Sequence, residues 1–261
     1  MDDTKDLFDM AVFTAALQTQ AVGRQVVYRR TVGSTMDVAR DEAAKGAPHG
    51  TLVLAEEQVA GRGRRGRGFH SPAGQNIYVT MILRPTLETH RRLPVIVPLA
   101  VCEAVRADGV DARIKWPNDI WAGERKLCGM LIDAEVAPGG VVAYPGIGIN
   151  VNGDPTVIPE LQAIATSVAR ELGHPVVRER LLARLCNCLE ELEALPQDDL
   201  VGRYRALSLV LGRGVVVAPA KSEPYEAVAE AIDADGLLIV LRADGSRETV
   251  NAADVSVRPL A

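Results

Sequence analysis

The sequence predicts a mixed α/β domain followed by a small β-barrel. Strand-like and helix-like segments alternate without a fixed period up to about residue 211. From Gly212 the chain becomes short β patterns with turn signals, and Asp235–Gly236 and Asp244–Gly245 are placed as hairpin turns. The 261 residues, 48% hydrophobic and 24% charged, suffice for one large unit or a large and a small one. The expected division is 1–211 and 212–261.

Leu7, Phe8, Val12, Phe13 and Leu17 recur at helical spacing, which predicts a short amphipathic helix over 5–20. Such a segment is too short for a helix-turn-helix domain. QVVYRRTV reads as a strand. Ser34 opens a helix to about Lys45, with Asp37 three residues on in a capping-box-like start and Gly46 and Pro48 at its end. TLVLAEEQ at 51–58 is a strand, 59–74 a glycine- and arginine-rich loop, NIYVTMIL a strand and 92–107 an apolar helix. RIKW, KLCGMLIDAEV and VVAYPGIGIN are three further strands, and helices follow over 161–172, 176–194 and 198–207.

Composition excludes several classes. Lys+Arg 29 against Asp+Glu 34 gives a net charge of −5, which argues against a protein held on nucleic acid by bulk charge. No run approaches the ~18 apolar residues of a membrane span. The acidic start MDDTKDLFDM lacks the basic n-region of a signal peptide. Cys102, Cys128, Cys186 and Cys188 have the spacing of neither a disulfide framework nor a zinc site, so a reducing cytoplasm is expected. His49, His70, His90 and His174 fall in turn or loop contexts and read as surface residues.

Gly61 to Gly68 holds four arginines and four glycines in eight residues, a composition that cannot enter a core. Arginine forks suit phosphate or carboxylate, and glycines let backbone N–H groups approach an anion. An exposed linker or an RNA-binding arginine–glycine tract has the same composition. No Gly-x-x-x-x-Gly-Lys-Ser/Thr motif occurs. A second cluster spans 113–133. Lys115 ends a strand, Pro117 bends the chain, Asn118 and Asp119 sit on the turn, and Lys126 starts the next strand after Gly123. Two lysines, an amide and a carboxylate near one edge suit phosphate chemistry, although a solvated Pro-Asn-Asp turn has the same pattern. Ser34 and Thr35 are either a plain N-cap or hydroxyls that bind a ligand oxygen. Gly146 and Gly148 share one strand face, as a close backbone approach or as a pocket floor.

In order, Ser34-Thr35, Gln58, GRGRRGRGF at 61–69, KWPNDI at 115–120, RKLCGML at 125–131 and GIGINVN at 146–152 resemble the biotin–protein ligases. The resemblance spans about 25–261. It implies a mixed-sheet catalytic domain like that of class II aminoacyl-tRNA synthetases, an SH3-like C-terminal barrel, and the short form of the family without a DNA-binding winged helix. It implies two steps: biotin and ATP give biotinyl-5′-adenylate, then a lysine of a biotin carboxyl carrier domain takes the biotinyl group. Carried over by motif, Ser34, Thr35, Met36, Gln58, Gly61, Arg62, Gly63, Arg64, Lys126, Gly146 and Gly148 look like the biotin site. Arg64, Arg67, Phe69, Asn118, Lys126 and Asn150 look like nucleotide contacts. Lys126, Arg62, Arg64, Lys115 and Asp119 look like the catalytic set, with Mg²⁺ accompanying ATP and Asp119 as its candidate protein ligand.

The charge logic agrees, since a carboxylate and a triphosphate must meet and several cations must offset their repulsion. The expected partners are the carrier domain and the two small substrates, with neither DNA nor membrane, in a monomer or homodimer. Met36 stands where many members have Asn, Phe69 where Trp is common, and Cys128 where a small residue such as Ala is usual. The rivals are a lipoate or octanoate ligase of the same fold and a nonenzymatic RNA-binding protein.

Overall fold

The structure, a computed structural model, describes residues 7–63, 68–137, 140–219, 222–251 and 255–259. Its first part is a seven-stranded mixed sheet. The strands are β1 (Val26–Val32), β2 (Thr51–Gln58), β3 (Ile77–Ile82), β4 (Ala112–Lys115), β5 (Asp119–Ala122), β6 (Arg125–Ala137) and β7 (Gly140–Ile149). They lie in the order β1-β2-β3-β7-β6-β5-β4, with β1 and β2 parallel and the other pairs antiparallel.

Helices cover this sheet unevenly. α2 (Thr35–Ala44) packs Met36 and Ala39 on one face against Val53, Ile82, Val142 and Tyr144. The other face carries α1 (Met10–Ala16), α3 (Leu87–Arg106), α5 (Arg178–Glu193) and α6 (Gln197–Leu207), and α4 (Val168–Leu172) follows β7. α3 is apolar around much of its circumference, as a helix buried between layers must be. β3 shows why the two faces differ. Its Ile77, Val79 and Met81 enter the helical core, while Tyr78 and Thr80 alternate onto the α2 face.

The C-terminal part is an antiparallel sheet of β8 (Gly214–Pro219), β9 (Tyr225–Ile232), β10 (Leu238–Arg242), β11 (Arg247–Val250) and β12 (Val255–Pro259), ordered β11-β10-β9-β8-β12. The turn at Gly236 joins β9 to β10 and packs on Val95 of α3. The Trp116 indole N–H donates to the Gly236 carbonyl at 2.9 Å, and the Arg205 Nε to that of Ile232 at 2.8 Å.

Several expectations need correction. Residues 5 and 6 of the first expected helix lie outside the described residues, and the described helix is Met10–Ala16; beyond it Gln18 N–H bonds Asn187 Oδ1 at 2.8 Å and the Glu190 carboxylate takes the N–H groups of Gln20, Ala21 and Val22. The helix expected over 161–172 shrinks to Val168–Leu172. Residues before it spend their backbone groups on the start of β6: Lys126 N–H bonds the Ile164 carbonyl at 2.8 Å and Thr166 N–H the Lys126 carbonyl at 2.9 Å. α3 begins five residues earlier than expected, at Leu87, because Thr86 caps it by accepting from Thr89 N–H at 3.1 Å. Asp119–Ala122 is a strand, too short between Pro117 and Gly123 for periodicity to reveal. His49 and His90 are half-buried rather than on the surface.

A buried ion pair stands on the helical face of β2. Arg178 Nη1 lies 2.9 Å from Glu56 Oε2, with both side chains under a tenth exposed. Glu56 Oε1 also accepts from Phe8 N–H and the Tyr28 hydroxyl, each at 2.7 Å. Arg178 Nη1 donates to the Asn76 carbonyl at 2.9 Å. Removing one member strands a buried charge. Arg178→Met is expected to cost about 3–5 kcal/mol in urea unfolding, and adding Glu56→Gln to recover part of that loss.

Burial and the neighbouring Glu190 push the Glu193 carboxyl from 4.5 up to about 7, against the pull of Arg92. His49 Nε2 is 3.9 Å from Glu193 Oε2, and burial lowers the His49 value. The folded chain therefore holds the Glu193 proton more tightly than the unfolded chain. This contribution is full below pH 4.5 and is lost as pH rises through about 7. Glu193→Gln is expected to raise the melting temperature at pH 8 while leaving it unchanged at pH 4, as thermal scans at the two values would show.

Candidate functional site

A cavity of about 200 Å³ opens on the α2 face. Its floor is backbone. Register places Gly146 opposite Thr80, Gly148 opposite Tyr78, and Gly129 of β6 opposite Gly148. A Cβ at Gly148 would meet the Phe69 ring at 2.5 Å, at Gly146 the Met36 sulfur at 3.1 Å, and at Gly129 the Lys126 Nζ at 2.7 Å. Glycines at these positions let three side chains lie down on the sheet.

One end is polar and neutral. Ser34 caps α2, its Oγ accepting from Met36 N–H at 3.3 Å. Gln58 Oε1 accepts from Thr35 N–H at 2.9 Å and from the Thr35 hydroxyl at 3.1 Å. The Thr35 hydroxyl lies 2.8 Å from that of Thr80, and Gln58 Nε2 donates to Ser71 Oγ at 3.1 Å. Ser34, Thr35 and Thr80 are almost wholly buried. Asp37 does not complete a capping box, because its carboxylate faces Arg62 Nη2 at 2.5 Å.

The other end is cationic. β5 and β6 pair Asp119 with Gly129 and Ile120 with Cys128, then skip one residue to pair Trp121 with Lys126. Leu127 is thus the extra residue of a bulge, and Leu127 and Cys128 are both buried. Strict alternation would send Lys126 and Gly129 to opposite faces. With the bulge both reach the cavity, where Lys126 Nζ pairs with Asp119 Oδ1 at 2.8 Å. The Lys115 ammonium lies 5.0 Å from the centroid of the Trp121 ring. Asn118 is tied to Met130, donating its side-chain amide to the Met130 carbonyl and accepting Met130 N–H at its own carbonyl at 3.0 Å. Burial pushes the Cys128 thiol up, which suits a packing residue.

The described ends of the arginine–glycine segment, Arg62, Gly63, Gly68 and Phe69, complete the lining. Arg62 bridges Gly68, and Phe69 N–H donates to the Gly61 carbonyl at 2.9 Å. The Phe69 ring meets Tyr78 edge to face, centroids 6.3 Å apart. Tyr78, whose phenol is pushed up by burial, donates to the Pro72 carbonyl at 3.1 Å.

Of the expected site residues, Ser34, Thr35, Met36, Gln58, Arg62, Gly63, Phe69, Lys115, Asn118, Asp119, Lys126, Gly146 and Gly148 line this one cavity. Gly61 lies outside the lining, its carbonyl accepting from Phe69 N–H. Asn150 lies outside the lining, its side-chain amide donating to the Thr166 carbonyl at 3.0 Å. Arg64 and Arg67 lie outside the described residues. Sequence reasoning missed Thr80, Gly129 and Val257 of β12. Thr80, which stands behind the lining as the partner of Thr35, had a signal, a threonine in the otherwise apolar and aromatic run IYVTMI; Val257 had none, since only the tertiary fold brings it to the cavity.

The floor makes a direct prediction. Gly148→Ala must displace the Phe69 ring, a mobile side-chain end, rather than backbone. The fold is expected to survive with a melting temperature within about 5 °C, in line with a change near 1 kcal/mol. The ring-current shifts of Tyr78 in NMR spectra are expected to disappear.

Residues 27–152 match the biotin/lipoate A/B protein ligase family and 210–258 the biotin protein ligase C terminal domain. The chain is 35% identical to a biotin--[acetyl-CoA-carboxylase] ligase of Paracoccus denitrificans over 84% of this chain and 96% of that one. It is 31% identical to the bifunctional ligase/repressor BirA of Bacillus subtilis over 92% of this chain and 76% of the relative. The biotin protein ligase of Aquifex aeolicus, solved with biotin and ATP, shares the fold at a TM-score of 0.75 and 24% identity, over 91% of this chain and all of the other. With the fold, the order of the motifs and these relatives in agreement, the chain belongs to the biotin protein ligase family.

Proposed function

We propose that the chain is an ATP-dependent biotin ligase that joins biotin to a lysine of a biotin carboxyl carrier domain. The observation that carries this is the polarity of the cavity. Neutral donors and acceptors at the start of α2 and the end of β2, Ser34, Thr35 and Gln58, suit a cyclic urea, and cations on β4 and β6 suit a carboxylate and phosphates. β3 and β5 are three strand spacings apart, about 14 Å, with the glycines of β7 and β6 between them. An acyl chain fits across that floor. The relatives named for biotin ligation and the Aquifex complex with biotin and ATP support the same reading.

In this reading a biotin carboxylate oxygen attacks the α-phosphorus of ATP and pyrophosphate leaves. A carrier lysine then attacks the carbonyl of the mixed anhydride and AMP leaves. Lys126 touches the carboxylate and the phosphate, Lys115 and Arg62 add positive charge, and Met36, Gly61, Gly63, Gly146 and Gly148 hold the biotin. Phe69 and Asn118 face the nucleotide, Asn150 holds the Thr166 carbonyl behind them, and Arg64 and Arg67 are expected to add charge on the nucleotide side. Asp119 takes the proton of the carrier lysine. Among the described residues no group of three His, Cys, Asp or Glu could cage a metal. Among the described residues one carboxylate, Asp119, lines the cavity, a donor set that fits Mg²⁺ held mainly by nucleotide phosphates. That ion would supply charge neutralisation to the triphosphate.

The reading also takes residues 1–211 as a catalytic domain of the class II synthetase type and 212–261 as an SH3-like unit. Free cysteines at all four positions and no described helix long and apolar enough to cross a membrane support a cytoplasmic location. Labelled pyrophosphate is expected to exchange into ATP with biotin and Mg²⁺ but not with lipoate or without acid. Exchange with lipoate alone would move the chain to the sister activity. Lys126→Ala is expected to lower exchange by about 10²–10³-fold. Asp119→Asn is expected to slow transfer to the carrier more than exchange, and equal losses in both would remove its role as proton acceptor.

A further inference from the structure

We propose that Trp121 is a positioning residue, holding the Lys115 ammonium at the cationic end of the cavity through the face of its indole ring. This rests on the ligase reading above. β4 pairs antiparallel with β5, Lys115 opposite Asp119 and Arg113 opposite Trp121. Lys115 and Trp121 are therefore diagonal neighbours on one face, within reach for a long side chain and an aromatic ring. Lys115 lines the cavity, Trp121 stands behind it, and the ammonium sits 5.0 Å from the ring centroid.

A second observation points the same way. The Trp121 Nε1 is buried and finds no hydrogen-bond partner among the described residues. An unpaired indole N–H makes this ring a poor choice for filling space, since phenylalanine or leucine would fill it without that penalty. The ring face is what the site uses.

An indole face attracts the ammonium through its quadrupole and leaves its formal charge unchanged. The contact therefore adds to whatever else orients Lys115 and does not lower its pull on a carboxylate or phosphate.

The test is a double-mutant cycle on biotin-dependent pyrophosphate exchange, with an NMR arm on lysine-labelled protein. Trp121→Leu is expected to lower kcat/KM about 10-fold, and Trp121→Phe, which keeps an aromatic face, to stay within about 3-fold of wild type, in proportion to the cation–π strengths. In a Lys115→Met background Trp121→Leu is expected to cost less than about 2-fold, since the partner is already gone. The Lys115 Hε signals are expected upfield in wild type and at ordinary positions in Trp121→Leu. Equal losses in both backgrounds, Trp121→Phe as damaged as Trp121→Leu, or unshifted Lys115 signals in the wild type would each overturn the proposal. Absent exchange in the wild type would overturn the ligase reading and with it the catalytic use of Lys115. The ring-current shift would still decide separately whether the indole holds the ammonium.

Discussion

One extra residue in a strand sets the chemistry of the cavity. Leu127 has no partner of its own in the β5–β6 ladder, and its insertion changes the parity of everything before it. Without it Lys126 would turn toward the core occupied by Cys128 and Ile120, where an ammonium cannot stay charged without a partner. With it the lysine lies over Gly129 and meets Asp119. The bulge also keeps Leu127 and Cys128 in the core, so the hydrophobic packing of β6 does not suffer from the redirected lysine. A small local irregularity thus separates two demands on one strand, burial below and charge above.

The remainder of the site is built by ordinary alternation. β3 and β7 each send apolar side chains into the helical layer and leave the opposite face to Tyr78, Thr80, Gly146 and Gly148. The floor is then lined by what lies on it rather than by what projects from it. Met36 covers Gly146 and Phe69 covers Gly148. Both covers are apolar, so the floor lies under a thioether and a phenyl ring.

Much of this was legible in the sequence because the relevant signals are local. Ser34 before an amphipathic run marks an N-cap, the glycines at 146 and 148 share a strand face by period two, and a tract of four arginines can only be a loop. The ordered motifs then brought distant segments together before any coordinates did. What stayed hidden depends on partners far along the chain. The early end of α1 goes with bonds to Asn187 and Glu190, the loss of helix before Val168 follows from the edge of Lys126, and the lining by Val257 from the docking of the C-terminal sheet. The bulge was invisible for another reason. KLCGMLIDAEV reads as one strand, and nothing in its own residues says which of two adjacent apolar positions will be skipped by the neighbour.

The indole of Trp116 bears on modularity. It sits between Lys115 and Pro117, inside the segment that carries the cationic end, yet its N–H is spent on the carbonyl of Gly236 in the C-terminal sheet. Trimming the chain at the boundary would leave that donor without its acceptor beside the very lysine the cavity uses. Grafting the C-terminal unit of a relative would succeed only if the donated turn offered a carbonyl at the same place. The two parts, though separate as sheets, are therefore coupled at this hydrogen bond, and a chimera is best designed from the turn at Gly236 outward rather than from the linker.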